Sequence, residues 1–227
     1  MLERKQLVRL SVEGYLFVPS LAPEQSTLDL ATRIGEVIEL SSSAPGSQIP
    51  TVQALEPRSA QAARPHQYSG VYGFNEFPLH TDLAHWARPP RYLLLRCLRG
   101  DKDVATRVLS ADDFIEAIGM DLLERSLFKP RRPSRFGTPA LLTSIFKIDS
   151  VTGLRWDQLF LTPMNSEAEE AKIRASQIRE LGPLHEFHLR DLGDILLIDN
   201  WRMLHGRGPV SSAVRIIERV YLSELKQ

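Results

Sequence analysis

Only one cysteine occurs in the 227 residues, Cys97 within the apolar run Tyr92–Leu98, so no disulfide framework can hold the fold. A lone thiol suits a reducing compartment, and the expected location is the cytoplasm. No stretch approaches the roughly 20 apolar residues that a membrane-spanning helix needs. The opening Met1-Leu2-Glu3-Arg4-Lys5 carries charge in place of an apolar core, which argues against a signal peptide. Charge of one sign is missing too: 28 Lys+Arg balance 28 Asp+Glu, leaving no overall basic field for nucleic acid or anionic lipid. The one local basic cluster, Lys129-Pro130-Arg131-Arg132, reads as a solvated loop. With no internal repeat and no long linker, residues 1–227 are expected to form a single domain.

What is present is an ordinary globular composition, 43% apolar and 25% charged. Gly14–Val18 reads as a short strand closed by Pro19. Ser26 caps a predicted helix whose apolar positions Leu28, Ala31, Ile34 and Ile38 recur at helical steps. Ser41 to Gly70 is rich in Ser, Pro, Ala and Gln and reads as loop, broken by the strand-like Thr51–Leu55. Strand-like runs follow at Phe77–Leu83, Arg91–Leu98 and Val104–Leu109. Ser110, with Asp113 beyond it, opens a helix bearing Phe114, Ile115, Ile118 and Leu122. Leu141–Ile148 and Leu154–Leu161 are further strand candidates. Ser166 and Glu169 form a second capping pattern, ahead of the stripe Ala168, Ala171, Ala175, Ile178 and Leu181. The last extended runs are Asp194–Asn200 and Val214–Leu222. Many short strands with scattered helices predict a mainly β fold with flanking helices, a sandwich or jelly-roll barrel.

The chemistry concentrates in Phe77-Pro78-Leu79-His80-Thr81-Asp82. On a strand, alternate residues share a face, so His80 and Asp82 reach one metal while Thr81 points away. None of the other five histidines has a carboxylate two residues on. The best third ligand is His205, delivered by the apolar run of Gly193–Pro209, where Gly206 and Gly208 let backbone crowd the site. Two histidines and one carboxylate with open positions is the ligand set of non-haem Fe(II) oxygenases. Arg215 and Arg219 stand ten and fourteen residues beyond His205 with the same strand parity. One face of that strand therefore reads Arg-Ile-Arg-Tyr, which suits a polar interior holding a dicarboxylate, because a guanidinium grips carboxylates bidentately.

In order and spacing these residues resemble the taurine dioxygenase/clavaminate synthase superfamily of 2-oxoglutarate-dependent oxygenases. The stretch from His80 to Asp101 is most similar to the clavaminate synthase and asparagine/arginine hydroxylase branch, and GDILLIDNWRMLHGRGP resembles that group's second signature. The resemblance implies a double-stranded β-helix (jelly-roll) core, Fe(II), 2-oxoglutarate as cosubstrate and O2. It implies His80, Asp82 and His205 as iron ligands and Arg215 as the partner of the distal 2-oxoglutarate carboxylate, assisted by Thr106. Arg219 would stand near the other end of the cosubstrate or the primary substrate. The implied reaction is hydroxylation of an unactivated C–H bond of an amino-acid-derived or natural-product substrate, releasing succinate and CO2. Asp82 replaces the Glu usual in the clavaminate synthase branch, and the retained carboxylate argues against a halogenase. The short chain leaves little length for a lid, so a substrate larger than a free amino acid, such as a peptide or carrier-bound group, is expected.

Candidates for substrate contact are Tyr72, Asn75 and Glu76 in the approach to His80, and Asp157, which would hold an ammonium unless it forms a structural pair with Arg155. The Tyr68–Asn75 loop, with Gly70 and Gly73 as hinges, is expected to order around substrate. Strand parity turns His85 away from the metal, His185 and His188 read as packing or surface residues, and Trp86 and Trp201 as core. Two rivals remain: a non-catalytic metal- or ligand-binding barrel descended from such an enzyme, and a zinc hydrolase, which leaves the two arginines unexplained.

Overall fold

Two antiparallel sheets face one another across the middle of the structure, a computed structural model describing residues 2–40, 49–131, 141–177, 183–211 and 214–226. The chain begins with α1 (Arg4–Glu13), β1 (Tyr15–Val18), α2 (Thr27–Ile34), β2 (Gly35–Val37), β3 (Gln53–Leu55) and α3 (Tyr68–Tyr72). It continues through β4 (Phe77–His80), β5 (Tyr92–Arg99), β6 (Thr106–Ser110), α4 (Ala111–Ile118), α5 (Met120–Arg125), β7 (Leu127–Pro130) and β8 (Leu142–Thr143). Then come β9 (Ile145–Ile148), β10 (Val151–Leu154), β11 (Leu161–Pro163), α6 (Ser166–Gln177), β12 (His185–Phe187), β13 (Ile195–Asp199), β14 (Met203–Arg207) and β15 (Ile216–Leu225). The larger sheet runs β1-β13-β5-β15-β2, with β3 also on β15, and the smaller runs β12-β6-β14-β4. The architecture is mainly antiparallel β with few helices.

Side-chain alternation builds three apolar layers from these two sheets. Between them, Leu93, Leu95, Ile217 and Tyr221 of the larger sheet meet Val108, Met203 and Phe187 of the smaller. Behind the larger sheet, Leu94, Ile195, Leu197 and Val220 pack on Leu10 of α1 and Leu30 and Ile34 of α2. Behind the smaller, Leu109 and Leu204 pack on Phe114, Ile118 and Leu123. β13 is therefore buried at every position, and this explains its unbroken apolar run. Burial of each such aliphatic side chain contributes roughly 1.5–3 kcal/mol. Among the described residues no helix is long and apolar enough to cross a membrane.

Several expected elements are redrawn. The first helix, α1, had no periodic signature: Glu3 and Gln6 cap it reciprocally, and Gly14 ends it at φ 80°. A Cβ on Gly14 would also meet the Met203 sulfur at 2.5 Å. Ser26 caps α2 as expected, but the helix stops at Ile34 because Gly35–Val37 pairs with β15, and Ile38 lies beyond that strand. The strand expected over Leu154–Leu161 is broken: Asp157 Oδ1 accepts the backbone N–H groups of Leu159 and Phe160, both at 2.7 Å, and curls the chain. Leu141–Ile148 divides into β8 and β9. Asn165, not Ser166, caps α6, accepting from Ala168 N at 3.1 Å. The approach segment expected as a loop contains α3. Residues 41–48 of the Ser-rich stretch, Arg132, Ile178 and Leu181 lie outside the described residues.

Candidate metal centre

His80 ends β4 and His205 lies directly opposite on β14, so their imidazoles share a face, with ring centroids 4.5 Å apart. Asp82 follows β4. Thr81 between them turns away into a pair of bonds with Trp156, donating its N–H to the carbonyl at 2.8 Å and accepting the Trp156 N–H at 3.0 Å. The alternation read from the sequence therefore survives past the strand end. Donor atoms of His80, Asp82 and His205, all buried, lie within 4.8 Å of one another. His80 Nε2 stands 3.6 Å from Asp82 Oδ1, and His205 Nε2 stands 3.7 Å from Oδ2.

The surrounding bonds fit this set to a metal. His80 Nδ1 lies 2.8 Å from the Pro78 carbonyl, which only accepts, so the proton sits on Nδ1 and the Nε2 lone pair faces Asp82. Tyr68 stacks on the same imidazole, centroids 4.4 Å apart. His205 Nδ1 is buried and has no hydrogen-bond partner among the described residues. Burial drives His205 down to about 3, helped by His80, so it stands as the neutral imidazole a metal requires. Burial alone would raise Asp82, but Arg219, His205 and His80 outweigh it and hold the carboxyl well below its usual range. For His80, burial is outweighed by its contact with Asp82, and its value rises.

Asn200 fixes the backbone that carries Asp82. Its Oδ1 accepts the Asp82 N–H at 2.7 Å, and its Nδ2 donates to the carbonyls of Asp82 at 3.0 Å and Pro90 at 2.9 Å. Leu83, the next residue, is held at φ 53°, a costly conformation for a non-glycine residue. Asn200→Ala should leave one N–H and two carbonyls buried without partners. The expected loss is about 2–4 kcal/mol of unfolding free energy, read from urea denaturation of the metal-free protein. A loss below about 0.5 kcal/mol, within the range of an ordinary surface substitution, would contradict this role.

The three residues line a cavity of about 830 Å3 between the sheets. Arg215, Thr106 and Arg219 line it too. Arg215 Nη2 donates to Thr106 Oγ1 at 3.1 Å, both groups being buried. Burial lowers this guanidinium to about 10, which still leaves it a cation at neutral pH. Among the described residues no carboxylate forms an ion pair with it. Arg219 is engaged differently: its Nη1 meets both Asp82 oxygens, at 3.2 and 3.0 Å, and its Nη2 meets Gln53 Oε1 at 2.6 Å.

The approach residues divide. Asp157 lines the cavity. Burial raises its carboxyl, partly offset by His80 and the Phe160 and Leu159 amides. Arg155 does not pair with it and instead donates to the carbonyls of Ala84, Trp86 and Ala87. Tyr72 does not reach the cavity and packs against Tyr68 at 5.7 Å. Asn75 is exposed, its carbonyl taken by Arg207, and Glu76 faces outward into an ion pair with Arg107 at 2.8 Å. Glu76 shares strand parity with His80, but the register of β4 on β14 shifts between Phe77 and His80, so the alternation does not carry back to Glu76. Conversely, His85 and Trp86 line the cavity, because the left-handed backbone at Leu83 ends the alternation that held through Asp82. Tyr68, Gln53, Asn200 and Tyr221 are site residues that the motifs did not mark. Tyr221 alone had a signal, its shared parity with Arg219.

No family model matches the sequence, and no curated protein does. Solved structures match well. PvcB from Pseudomonas aeruginosa aligns at TM-score 0.65 and 19% identity, over 97% of this chain and 80% of its own. PvcB is described as an Fe, α-ketoglutarate-dependent oxygenase from an isonitrile synthetic pathway. Asparagine oxygenase in complex with Fe(II), 2S,3S-3-hydroxyasparagine and succinate aligns at 0.64 and 17%, over 96% and 78%. OrfP, a non-haem iron oxygenase in complex with Fe, succinate and (3S)-hydroxy-L-Arg, aligns at 0.60 and 20%, over 97% and 78%. In a further asparagine oxygenase structure the match, at TM-score 0.57, spans 58% of that chain. This chain shares the fold of these iron oxygenases.

Proposed function

We propose that residues 1–227 form one domain, a cytoplasmic Fe(II)- and 2-oxoglutarate-dependent oxygenase built on a double-stranded β-helix core. One observation carries the reading: a buried two-histidine, one-carboxylate cluster and a buried guanidinium, without an ion-pair partner among the described residues, open into the same cavity. His80, Asp82 and His205 would hold the metal. Arg215 would pair with the distal carboxylate of 2-oxoglutarate, with the Thr106 hydroxyl as a second donor. Arg219 lines the same cavity, but its bonds to Asp82 and Gln53 make it part of the metal's surroundings before any ligand arrives. When bound, iron with 2-oxoglutarate and O2 supplies the oxidising power that turns a substrate C–H bond into C–OH, with succinate and CO2 as coproducts.

The remaining work belongs to the chain: holding substrate, orienting one C–H bond and excluding water. A cavity of about 830 Å3 holds more than a free amino acid beside the cosubstrate, so an amino-acid-derived natural product, a peptide or a carrier-bound group fits it. Asp157 is the residue to meet a cationic nitrogen on that substrate. Its Oδ1 is fixed by two amides, and Lys172 lies beyond ion-pair distance, its ammonium bonded to the carbonyls of Gln158 and Leu161. A buried carboxylate without a cation is costly until a ligand provides one.

Conversion of 2-oxoglutarate to succinate with matching O2 uptake, dependent on Fe(II), tests the proposed activity. A chain that binds metal and 2-oxoglutarate but never turns over would instead be a binding barrel. With substrate identified, Asp157→Asn should raise KM for it at least tenfold and leave the affinity for 2-oxoglutarate unchanged. An unchanged substrate KM would remove Asp157 from the substrate site.

A further inference from the structure

The two oxygens of the Asp82 carboxylate sit in different surroundings. Oδ1 faces His80 at 3.6 Å and takes only the longer of the two Arg219 contacts, at 3.2 Å. Oδ2 faces His205 at 3.7 Å and accepts Arg219 at 3.0 Å and also the Tyr221 hydroxyl at 3.0 Å. Arg219 alone hardly distinguishes the oxygens, since one nitrogen reaches both. Tyr221 breaks the symmetry.

Tyr221 is fully buried among aliphatic side chains between the sheets, where a phenylalanine would fill the same space. A hydroxyl in such a place is unfavourable unless it finds a partner, and its hydrogen bond among the described residues is to Asp82. β15 fixes the arrangement: Tyr221 lies two residues past Arg219 on one face, with Leu93 and Leu95 opposite them on β5.

We propose that Tyr221 is a positioning residue of the metal centre, saturating Asp82 Oδ2 so that Oδ1 alone is offered to the metal. The inference rests on reading His80, Asp82 and His205 as metal ligands. An ionised carboxylate oxygen holding one charged and one neutral donor has little lone-pair density left, whereas Oδ1, with only the longer Arg219 contact, keeps its own toward His80. Coordination through both oxygens would require the Tyr221 bond to break. Supporting residues of this kind typically change metal affinity by about 10–100-fold.

The test uses the full chain and Co(II), titrated anaerobically and followed by its visible d–d absorption. Tyr221→Phe keeps the ring and its packing; it should weaken Co(II) binding by about tenfold and alter the d–d spectrum as Asp82 gains freedom to bind through both oxygens. A merely structural role would lower the unfolding midpoint of the metal-free protein, yet leave affinity and spectrum as in the wild type. An affinity within twofold of wild type with an unchanged spectrum would overturn the proposal. A crystal structure of the wild type with Co(II) gives a second reading that does not depend on how the variant folds. Oδ1 on the metal and Oδ2 on Tyr221 is the expected result, and a bidentate Asp82 refutes it. Failure of the wild type to bind Co(II) at all would reject the ligand assignment itself, whereas normal wild-type binding with an indifferent Tyr221→Phe would reject only the role of Tyr221.

Discussion

His80→Ala and His205→Ala should each abolish stoichiometric Fe(II) binding. Either change leaves two of the three buried donors, and the vacated space offers the metal only water in place of an imidazole. The loss should exceed the roughly 10–100-fold that removing a supporting residue costs. The two variants differ in a second way. His80 is tied to Pro78 and stacked by Tyr68, so its loss also loosens the end of β4, whereas His205 Nδ1 has no partner to lose. His205→Ala should therefore destabilise the metal-free protein less than His80→Ala. Anaerobic titration of Fe(II) into each purified variant, with circular dichroism to confirm the fold, checks both statements. Full iron content in either folded variant would refute the ligand assignment.

Arg215→Ala has the second largest expected effect. Its guanidinium is buried and, among the described residues, has one hydroxyl partner and no carboxylate in ion-pair contact, so the cavity presents a cation to a ligand. A bound dicarboxylate would neutralise it in a poorly solvated place, and removing the cation would leave that carboxylate unpaired. The cost is about 2–5 kcal/mol, which weakens 2-oxoglutarate binding by at least tenfold. Thr106→Val removes one neutral hydrogen bond worth about 1 kcal/mol, so its effect should be several-fold smaller. Metal affinity should be unchanged in both. Isothermal titration with 2-oxoglutarate in the presence of an inert divalent metal reads the ratio directly, and an unchanged affinity in Arg215→Ala would dismiss this site.

Much of this centre was legible because its residues sit on regular strands. His80, His205 and the Arg219–Tyr221 face follow two-residue alternation, and alternation survives any uncertainty in loop length. The pairing of β14 with β4, which sets His205 opposite His80, is a long-range choice that no local pattern encodes. Parity misled wherever the strand ended early. It sent His85 outward and Glu76 inward, and the structure reverses both, since Leu83 adopts a left-handed backbone and β4 shifts register on β14 between Phe77 and His80. The Asp157 turn was read as strand because Leu154–Leu161 is apolar enough to be one, and only the side-chain bonds to Leu159 and Phe160 show the curl. α1 escaped notice because its stability comes from caps and a few contacts, not from a clear apolar stripe, with Val8 and Val12 exposed. Asn200 and Gln53 carry no motif of their own. Their roles follow from which backbone and which guanidinium they happen to reach.

On the proposed function, one cavity of this chain holds Fe(II) and 2-oxoglutarate together, in contact. Anaerobic addition of 2-oxoglutarate to the Fe(II)-loaded wild type tests it without knowledge of the primary substrate. A 2-oxo acid that chelates Fe(II) gives a visible metal-to-ligand charge-transfer band, which should grow to saturation with 2-oxoglutarate and be absent from His80→Ala and His205→Ala. A wild-type protein that takes up Fe(II) yet develops no such band at saturating 2-oxoglutarate would contradict the account.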